Sequence, residues 1–552
     1  MCGRSAGIQC PGCQDVWYCS HTHGSIHYRS EVGRCFPWRV SEEEDKGRIM
    51  VTTRRVRAGE TLFMEEPIVH GPSQTGAPVC LTCYAPVTLD YCCARCGYPM
   101  CDDTCATSTC HVSECEILSR AGRPVFDDQG ETEAYHCILP LRLLLLSTQD
   151  KERFSFADHL MDHEEERRGS DDWKTTERTI VDHLVNKCRA GDIEGFTVDQ
   201  VRRAVGVLEV NCYEVYSFIE KLGSTSAGLR GCYPAASLLS HSCVANSRHV
   251  WGTSPPYTNT CIATVDLEPG TEVVTSYVHP TTCSLTRRPK LLAGWYFECG
   301  CERCCSRSEL DTHHNTLRCP ACDQLTMLPT NHLSLGSDWS CESCGHEMEE
   351  KHVISLIRDL HEKIREITDN NKYDVSAWLQ LLDHALMKVH HQHEVVIEIA
   401  KFLVPIMCRG PGMKTSDFPL KLVKSKLDLA QWHLNVTETV DPGFSKSRVK
   451  VLYEVLETRI FLAFNQDKFD IKSLNDVVED CLVNLPTIIK VLESLKTENG
   501  FETMIIGASH SLLNKCKILK KELKSNNFKR EKWCEESWYL IDLCKPYFNI
   551  RK

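Results

Sequence analysis

The sequence SHSC at residues 240–243 is followed by GTEVVTSY at residues 270–277 and by CGCERC at residues 299–304. A protein whose cysteines only bind zinc is not expected to show these three motifs in this order. The order brings a Ser-His pair, a tyrosine that ends a strand-like run and a group of thiols into one segment. The segment thus places serine, histidine and tyrosine side chains in one stretch with thiols that are suited to bind a metal ion.

The size and charge of the chain limit the classes of protein to consider. Its 552 residues exceed what one hydrophobic core usually serves, so two to four folded units are expected. Hydrophobic residues make up 42% and charged residues 25%, as in an ordinary soluble globular protein. The net charge of −12 argues against a broadly basic surface, so direct nucleic-acid binding is not expected.

The 34 cysteines are concentrated in the first part of the chain, where 29 lie at or before Cys344. Many of them form CxxC pairs among histidines, which favours reduced thiolates that bind zinc inside the cell. The start, Met1-Cys2-Gly3-Arg4, has no apolar run typical of a secretory signal. The most apolar stretch, residues 138–146, is short and contains Pro140 and Arg142, so membrane insertion is not expected.

Residues 80–115 contain four ligand pairs, which is the number that two tetrahedral zinc ions require. If the first and third pairs share one ion and the second and fourth share the other, the candidate ligands are Cys80, Cys83, Cys101 and Cys105, and Cys93, Cys96, His111 and Cys115. Cys92 could take the place of Cys93 in this register. The cluster resembles a MYND zinc finger, which implies a surface for protein partners such as proline-rich segments or corepressors.

Residues 1–36 resemble a second, incomplete finger of the same kind, with candidate ligands Cys10, Cys13, Cys19, His23 and Cys35. One site would have Cys2 beside Cys19 and His23. The other would complete its set with either His27 or Glu31. An intact pair of sites and a truncated finger that binds one zinc or none both remain open.

A further zinc pattern follows the CGCERC motif. Cys319-x2-Cys322 and Cys341-x2-Cys344 are separated by an 18-residue gap, which is typical of a four-thiolate structural ribbon. Such a closed site has no open coordination position. Zinc catalysis is therefore not expected at this site or elsewhere in the chain.

Residues 46–67 alternate like strands around glycine turns, with Lys46-Gly47-Arg48 at the start. This resembles the opening hairpin of a SET domain, where a glycine lets the backbone approach S-adenosylmethionine. Residues 240–304 resemble the SET pseudoknot and post-SET zinc site. Because the 80–115 cluster interrupts these two parts, the chain resembles the SMYD family, and more closely its arthropod-type branch, over residues 44–345.

The resemblance implies a protein-lysine methyltransferase that uses S-adenosylmethionine and acts on a lysine of a protein or peptide, histone or not. Tyr277 would lie beside the transferred methyl group and help to hold the lysine nitrogen, and Phe297 would stack on adenine. The implied cofactor contacts are Gly47, Arg48, Asn211, Ser240, His241, Tyr277 and Phe297. The implied post-SET zinc ligands are Cys243, Cys299, Cys301 and Cys304.

Several residues depart from the family pattern. Ser240 replaces an asparagine, Ile49 stands where a second glycine is common, and Trp295 replaces a tyrosine near the lysine channel. A smaller departure is Ala245, in place of a proline. These changes keep a second hypothesis open, in which the chain is a catalytically inactive SET/MYND adaptor that binds protein partners in transcriptional regulation. The resemblance to the family also implies that the protein resides in both the cytoplasm and the nucleus.

The implied fold class is α+β, with a SET-domain β-fold split by a MYND zinc finger, a post-SET zinc site, a zinc ribbon and an α-helical C-terminal domain. Apolar residues at three- and four-residue spacing after residue 347 predict helices, either a simple bundle or a tetratricopeptide-like (TPR-like) array. The predicted boundaries are 1–36 for the partial finger, 44–79 for the first SET part, 80–115 for the MYND finger, 116–229 for a helical insert, 230–282 for the SET core, 283–345 for the post-SET site and ribbon, and 346–552 for the helical domain.

Overall fold

A computed structural model describes residues 8–9, 17–18, 36–44, 46–74, 78–126, 133–193, 196–219, 224–254, 256–409, 418–465, 469–495, 500–525, 528–530 and 532–533. In the first segment, strand β1 (Ile8–Gln9) pairs antiparallel with β2 (Trp17–Tyr18). The candidate ligands Cys10, Cys13, Cys19, His23 and Cys35 of the partial finger lie outside the described residues.

The SET part begins with an antiparallel hairpin of β3 (Trp38–Glu43) and β4 (Gly47–Thr52). Gly47 has φ of +69°, a left-handed conformation that favours glycine at this turn. The hairpin starts at Trp38, earlier than the predicted boundary at residue 44. The indole of Trp38 is buried and donates to the carbonyl of Leu62 at 3.1 Å, so β3 belongs to the SET core.

Strands from both ends of the SET sequence share the same sheets. Strand β5 (Thr61–Glu65) pairs with β11 (Asn259–Ala263), which pairs with β10 (Ser247–Trp251). Strand β6 (Val69–Pro72) pairs with β8 (Ser224–Cys232), and β8 pairs with β7 (Cys212–Ile219). The residues between β6 and β7 are thus an insertion into one β-fold, as the sequence predicted.

The insertion contains the 80–115 cluster and then a helical part. Its helices are α1 (Asp103–Ala106), α2 (Thr109–Leu118), α3 (Ile138–Gln149), α4 (Lys151–Phe154), α5 (Glu164–Arg167), α6 (Asp171–Thr176) and α7 (Val198–Asn211), with short 3-10 and π-helical turns between them. The helical part ends at Asn211, not at the predicted residue 229. The following residues, CYEVYSFI, are rich in aromatic and β-branched side chains and form β7.

The core ends in a short parallel pair of β9 (Ser240–His241) and β12 (Val274–Thr275), followed by α8 (Ser284–Trp295) and α9 (Glu302–Cys305). Strands β13 (Met327–Pro329), β14 (Trp339–Cys341) and β15 (Glu347–Met348) form the ribbon. The helical domain consists of α10 (Glu350–Asn371), α11 (Val375–Leu386), α12 (Glu394–Ile406), α13 (Leu420–Val440), α14 (Lys446–Asn465), α15 (Ile471–Ser494) and α16 (Gly500–Lys524).

Each helix of this domain packs against the next one along the chain, as in an array of paired helices. Helix α10 faces this core with Val353, Ile357, Leu360 and Ile364, whereas Ile354 is exposed. Within the described residues, no helix is both long enough and apolar enough to cross a membrane.

The turn between α13 and α14 holds the helical domain against the SET core. The carbonyl of Thr264 accepts the backbone N–H of Phe444 at 2.9 Å, and Arg248 pairs with Asp441. The Phe444 ring lies directly over Gly59, where a Cβ atom would come within 2.6 Å of the ring. The turn at residues 441–443 is therefore also a contact between domains.

Candidate active site and metal centres

Tyr277 is placed by the crossing of two chain segments. Strand β12 runs parallel to β9, and the N–H of Ser242 donates to the carbonyl of Thr275 at 3.0 Å. Two residues later, the N–H of Tyr277 donates to Nδ1 of His241 at 3.0 Å. The SHSC and GTEVVTSY motifs, far apart in sequence, thus meet where the sequence predicted a site.

The Tyr277 hydroxyl donates to the carbonyl oxygen of Leu239 at 2.7 Å. Burial raises the pKa of Tyr277 to about 12. The phenol therefore stays protonated at neutral pH. The phenolic oxygen of Tyr277 and the carbonyl oxygen of Leu239 therefore lie next to each other at the start of β9.

His241 connects this tyrosine to a group of cysteines. Because its Nδ1 accepts the N–H of Tyr277, the ring proton is on Nε2, which lies 3.3 Å from Sγ of Cys243. Burial lowers the pKa of His241 to about 4, so the ring is neutral. The two ring nitrogens of His241 therefore connect the backbone of Tyr277 to the sulfur of Cys243.

Aromatic rings surround Tyr277. The centroid of its ring lies 5.0 Å from that of Trp295 and 6.3 Å from that of Phe297, and His241 lies 5.8 Å from Phe297. Tyr277, Trp295 and Phe297 are each only partly buried. An aromatic face thus stays open here, and a flat base such as adenine fits it.

The other predicted cofactor residues approach one segment of the insertion, residues 159–163. Arg48 donates to the carbonyl of His159, and Nδ2 of Asn211 donates to the carbonyl of Met161 at 2.8 Å. The ring of Tyr296, next to Phe297, lies 5.3 Å from the ring of His163. Sequence reasoning did not single out this segment.

Gly47 and Ser240 are placed by their strands. Gly47 begins β4, next to Arg48, and Ser240 begins β9 opposite Val274. The structure thus brings Arg48 and Asn211 to one insert segment and His241, Tyr277 and Phe297 to one aromatic group.

The four thiols that the resemblance implies for the post-SET site meet in space. Their Sγ atoms lie within 4.8 Å of one another; the set is Cys243, Cys299, Cys301 and Cys304. Nε of Arg287 donates to Cys243 Sγ at 3.0 Å, which favours the thiolate form. A tetrahedral set of four thiolates fits zinc.

A buried ion pair lies beneath this site. Glu309 lies 2.6 Å from Nη1 of Arg287 and 2.7 Å from Nη2 of Arg303, and all three side chains are almost fully buried. Burial raises the pKa of Glu309, but the two guanidinium charges outweigh it and hold the pKa at about 2. Neither Arg287 nor Glu309 was predicted from the sequence to belong to this site.

The 80–115 cluster forms two ligand sets in the predicted crossed arrangement. One set is Cys80, Cys83, Cys101 and Cys105, and the other is Cys93, Cys96, His111 and Cys115. Cys93, not Cys92, belongs to the second set. The ribbon cysteines Cys319, Cys322, Cys341 and Cys344 form a fourth set. Each set has the donors that a structural zinc ion takes.

No protein-family model matches the chain. It is 28% identical over 322 residues to the SET domain-containing protein SmydA-8, isoform A, of Drosophila melanogaster, a match that covers 56% of this chain and 64% of the relative. It is 24% identical over 328 residues to a histone-lysine N-methyltransferase of Mycosarcoma maydis, with 47% of this chain and 65% of the relative covered. These matches show that the chain is similar to SET-domain proteins, including one of the SMYD type.

The matches span less than two thirds of the length of these relatives. The insertion between β6 and β7, the thiol sets and the large helical region are consistent with a SMYD-like fold. The two motifs that meet at Tyr277 are the ones on which the sequence prediction rested.

Proposed function

We propose that the chain is a protein-lysine N-methyltransferase that uses S-adenosylmethionine. The observation that carries this proposal is the position of the Tyr277 hydroxyl, 2.7 Å from the Leu239 carbonyl and beside a partly open group of aromatic rings. Similarity to histone-lysine methyltransferases of other organisms supports the same reaction class.

The residues that would hold the cofactor come from three parts of the chain. Arg48 and Asn211 lie at the 159–163 segment, the backbone of Ser240 and His241 lies at the pseudoknot, and the Phe297 ring offers a face for the base. When bound, S-adenosylmethionine supplies an electrophilic methyl group.

Tyr277 has two tasks in this proposal. The pKa of a free lysine is about 10.4, so its amine must lose a proton before it can attack. A partly buried, neutral phenol favours the neutral amine, because it offers a hydrogen-bonding oxygen without adding charge. Alignment of the amine between Tyr277 and Trp295 would supply much of the rate enhancement, since the reaction is an in-line displacement.

Two of the three main departures from the family pattern fit this proposal. The side chain of Ile49 is 2% exposed, so its bulk is buried within the fold. Trp295 keeps an aromatic ring 5.0 Å from that of Tyr277. Ser240 is the third, because its hydroxyl has one donor hydrogen where the asparagine amide has two, and its side chain is shorter. It favours the second candidate function, a catalytically inactive adaptor.

Partners and location extend the proposal. The substrate is a lysine of a histone or another protein, and the 80–115 cluster binds proline-rich or corepressor partners as a MYND-type surface. Residence in the cytoplasm and nucleus, and a role in transcriptional regulation, belong to the same proposal. The zinc sets would hold these surfaces in shape.

A methyl-transfer assay tests the proposal. Zinc-replete full-length protein is incubated with tritiated S-adenosylmethionine, purified histones and a lysine peptide array, beside Tyr277→Phe. We expect transfer by the wild type and a loss of about 100-fold or more in Tyr277→Phe.

The matched control is Tyr233→Phe. Its buried hydroxyl also donates to a carbonyl at 2.7 Å, that of Tyr257, but within the SET core. It should lose similar stability and keep the transfer rate within about threefold. Equal rates in wild type and Tyr277→Phe would contradict the role of Tyr277.

A further inference from the structure

A cleft of about 280 Å³ lies where the helical domain meets the SET core. One wall is His279, two residues after Tyr277, and the other walls come from α12, α13 and α14. The polar side chains that line it include Lys401, His433 and Lys450. None of these residues belongs to the predicted cofactor or metal sites.

Lys401 is the main cation of this cleft. Its Nζ donates to the hydroxyl of Thr281 at 2.7 Å, and no carboxylate of the described residues lies within 4 Å of it. The neighbouring carboxylate of Glu398 is engaged by Nδ1 of His361 at 2.9 Å. Lys401 is exposed to the cleft, so its charge is available to a ligand.

His279 presents a donor to the same space. The Thr281 hydroxyl accepts from Lys401 and lies 2.9 Å from Nδ1 of His279, so its own proton is directed to Nδ1. Nδ1 is therefore an acceptor, and the ring proton is on Nε2. The exposed His279 ring can donate this proton to an oxygen in the cleft.

His433 contributes an unsatisfied polar atom. The residue is 4% exposed, and its Nε2 has no hydrogen-bond partner among the residues that the structure describes. Burial without a partner is costly for a polar group, and burial lowers the pKa of His433 to about 3, which keeps the ring neutral. In the tautomer with the ring proton on Nε2, an oxygen acceptor in the cleft would satisfy this nitrogen.

The acidic side chain in the lining does not oppose an anion. Glu454 lies 2.9 Å from Arg409 and 2.9 Å from Lys426, which neutralise it. Lys450 is paired with Glu502 at 2.5 Å. Lys401 therefore remains the cation without an acidic partner in the described part of the cleft.

We propose that this cleft binds the carboxylate of an acidic residue of a polypeptide that lies along the junction of the SET core and the helical domain. As a substrate determinant this rests on the proposed function, since His279 is close in sequence to Tyr277. Lys401 supplies the charge, and His279 and His433 supply neutral hydrogen bonds. An acidic residue near the target lysine would then be selected.

The test uses full-length protein labelled with ¹³C at the histidine rings, and three probes that contain no lysine. They are the peptides acetyl-Gly-Glu-Gly-amide and acetyl-Gly-Gln-Gly-amide, and inorganic phosphate. Binding is followed by the ring signals, with that of His279 assigned by its loss in His279→Asn. We expect the Glu peptide to bind about tenfold more tightly than the Gln peptide, because hydrogen bonds to a charged group are stronger.

Lys401→Met should abolish this preference, and the control Lys424→Met, an exposed lysine on α13 outside the cleft, should keep it. Equal affinity for the two peptides, or a preference that survives Lys401→Met, would overturn the proposal. Binding of phosphate without the Glu peptide would show a small-anion site and overturn the polypeptide source. The test needs neither cofactor nor methyl transfer, so its outcome is independent of whether the enzyme proposal holds.

Discussion

Nδ1 of His111 lies 3.1 Å from Oε1 of Glu114, and both side chains are fully buried. Since Nδ1 faces the carboxylate, Nε2 faces the thiols, 3.5 Å from Sγ of Cys96. Glu114 in turn receives Nε of Arg142 at 2.6 Å. Burial raises the pKa of Glu114, but the Arg142 charge outweighs it and lowers the pKa. The carboxylate therefore stays ionised and orients the histidine for metal binding.

Glu114→Gln should weaken zinc binding at this site by about 10- to 100-fold, because the neutral amide accepts a weaker hydrogen bond from the histidine than the carboxylate does. Competition with a chromogenic chelator measures the affinity. Glu116→Gln, on the same helix but facing solvent, is the control. If both variants release zinc alike, Glu114 does not orient the ligand.

The contact between Gly59 and Phe444 should control docking of the helical domain. Gly59 has φ of +85°, and an added Cβ would meet the buried Phe444 ring. Gly59→Ala should lower the free energy of unfolding by about 1–2 kcal/mol for the backbone and by a further ~1–3 kcal/mol for the clash. Urea denaturation measures this change.

Gly270→Ala provides the matched control. Gly270 also has φ of +85°, but no atom of the described residues lies within 4 Å of the position that an added Cβ would take. It should show the backbone cost alone. Equal losses in the two alanine variants would mean that the Phe444 contact contributes nothing.

Because His433 has a lower pKa in the folded than in the unfolded chain, the free energy of unfolding should decrease at mildly acidic pH. Burial, Lys401, His314 and His279 all lower its pKa, to about 3 from an ordinary value near 6.5. Between these values the unfolded chain binds more protons, so stability rises with pH up to about 6.5 and is level above. From pH 7.5 to 5.5, His433 should account for a loss of about 1.4 kcal/mol.

His433→Asn should therefore lose about 1.4 kcal/mol less than the wild type between these two pH values. Urea denaturation at both values, with zinc content checked in each sample, measures the difference. Other buried histidines such as His249 titrate in both proteins and cancel. The same pH dependence in both proteins would refute the role assigned to His433.

The metal sites were predictable because their ligands come in short local spacings. Cys80-x2-Cys83 or Cys319-x2-Cys322 can be read without knowing the fold. Glu114 and Arg142 were not found, since a buried carboxylate and the guanidinium that holds it lie 28 residues apart with no motif. Arg287 and Glu309 were missed for the same reason.

The fold was predictable where a motif marks a strand crossing, as at His241 and Tyr277. Strand β7 was placed in the helical insert because it directly follows α7, and its aromatic alternation was not weighed. The approach of residues 159–163 to Asn211 depends on how the insertion folds back. Phe444 contacts Gly59 although the two residues are 385 positions apart in the sequence, and no local sequence pattern predicts this contact.

The most direct measurement of the central claim is calorimetric titration of zinc-replete full-length protein with S-adenosylhomocysteine. Phe297→Ala and, as a control, Phe418→Ala, a partly buried phenylalanine of the helical domain, are titrated beside it. We predict micromolar binding that Phe297→Ala weakens by at least about fivefold, because base stacking is lost, and that Phe418→Ala leaves unchanged. If a folded, zinc-loaded sample does not bind S-adenosylhomocysteine, the result would contradict the proposed methyltransferase function. The catalytically inactive adaptor would then be the remaining candidate function.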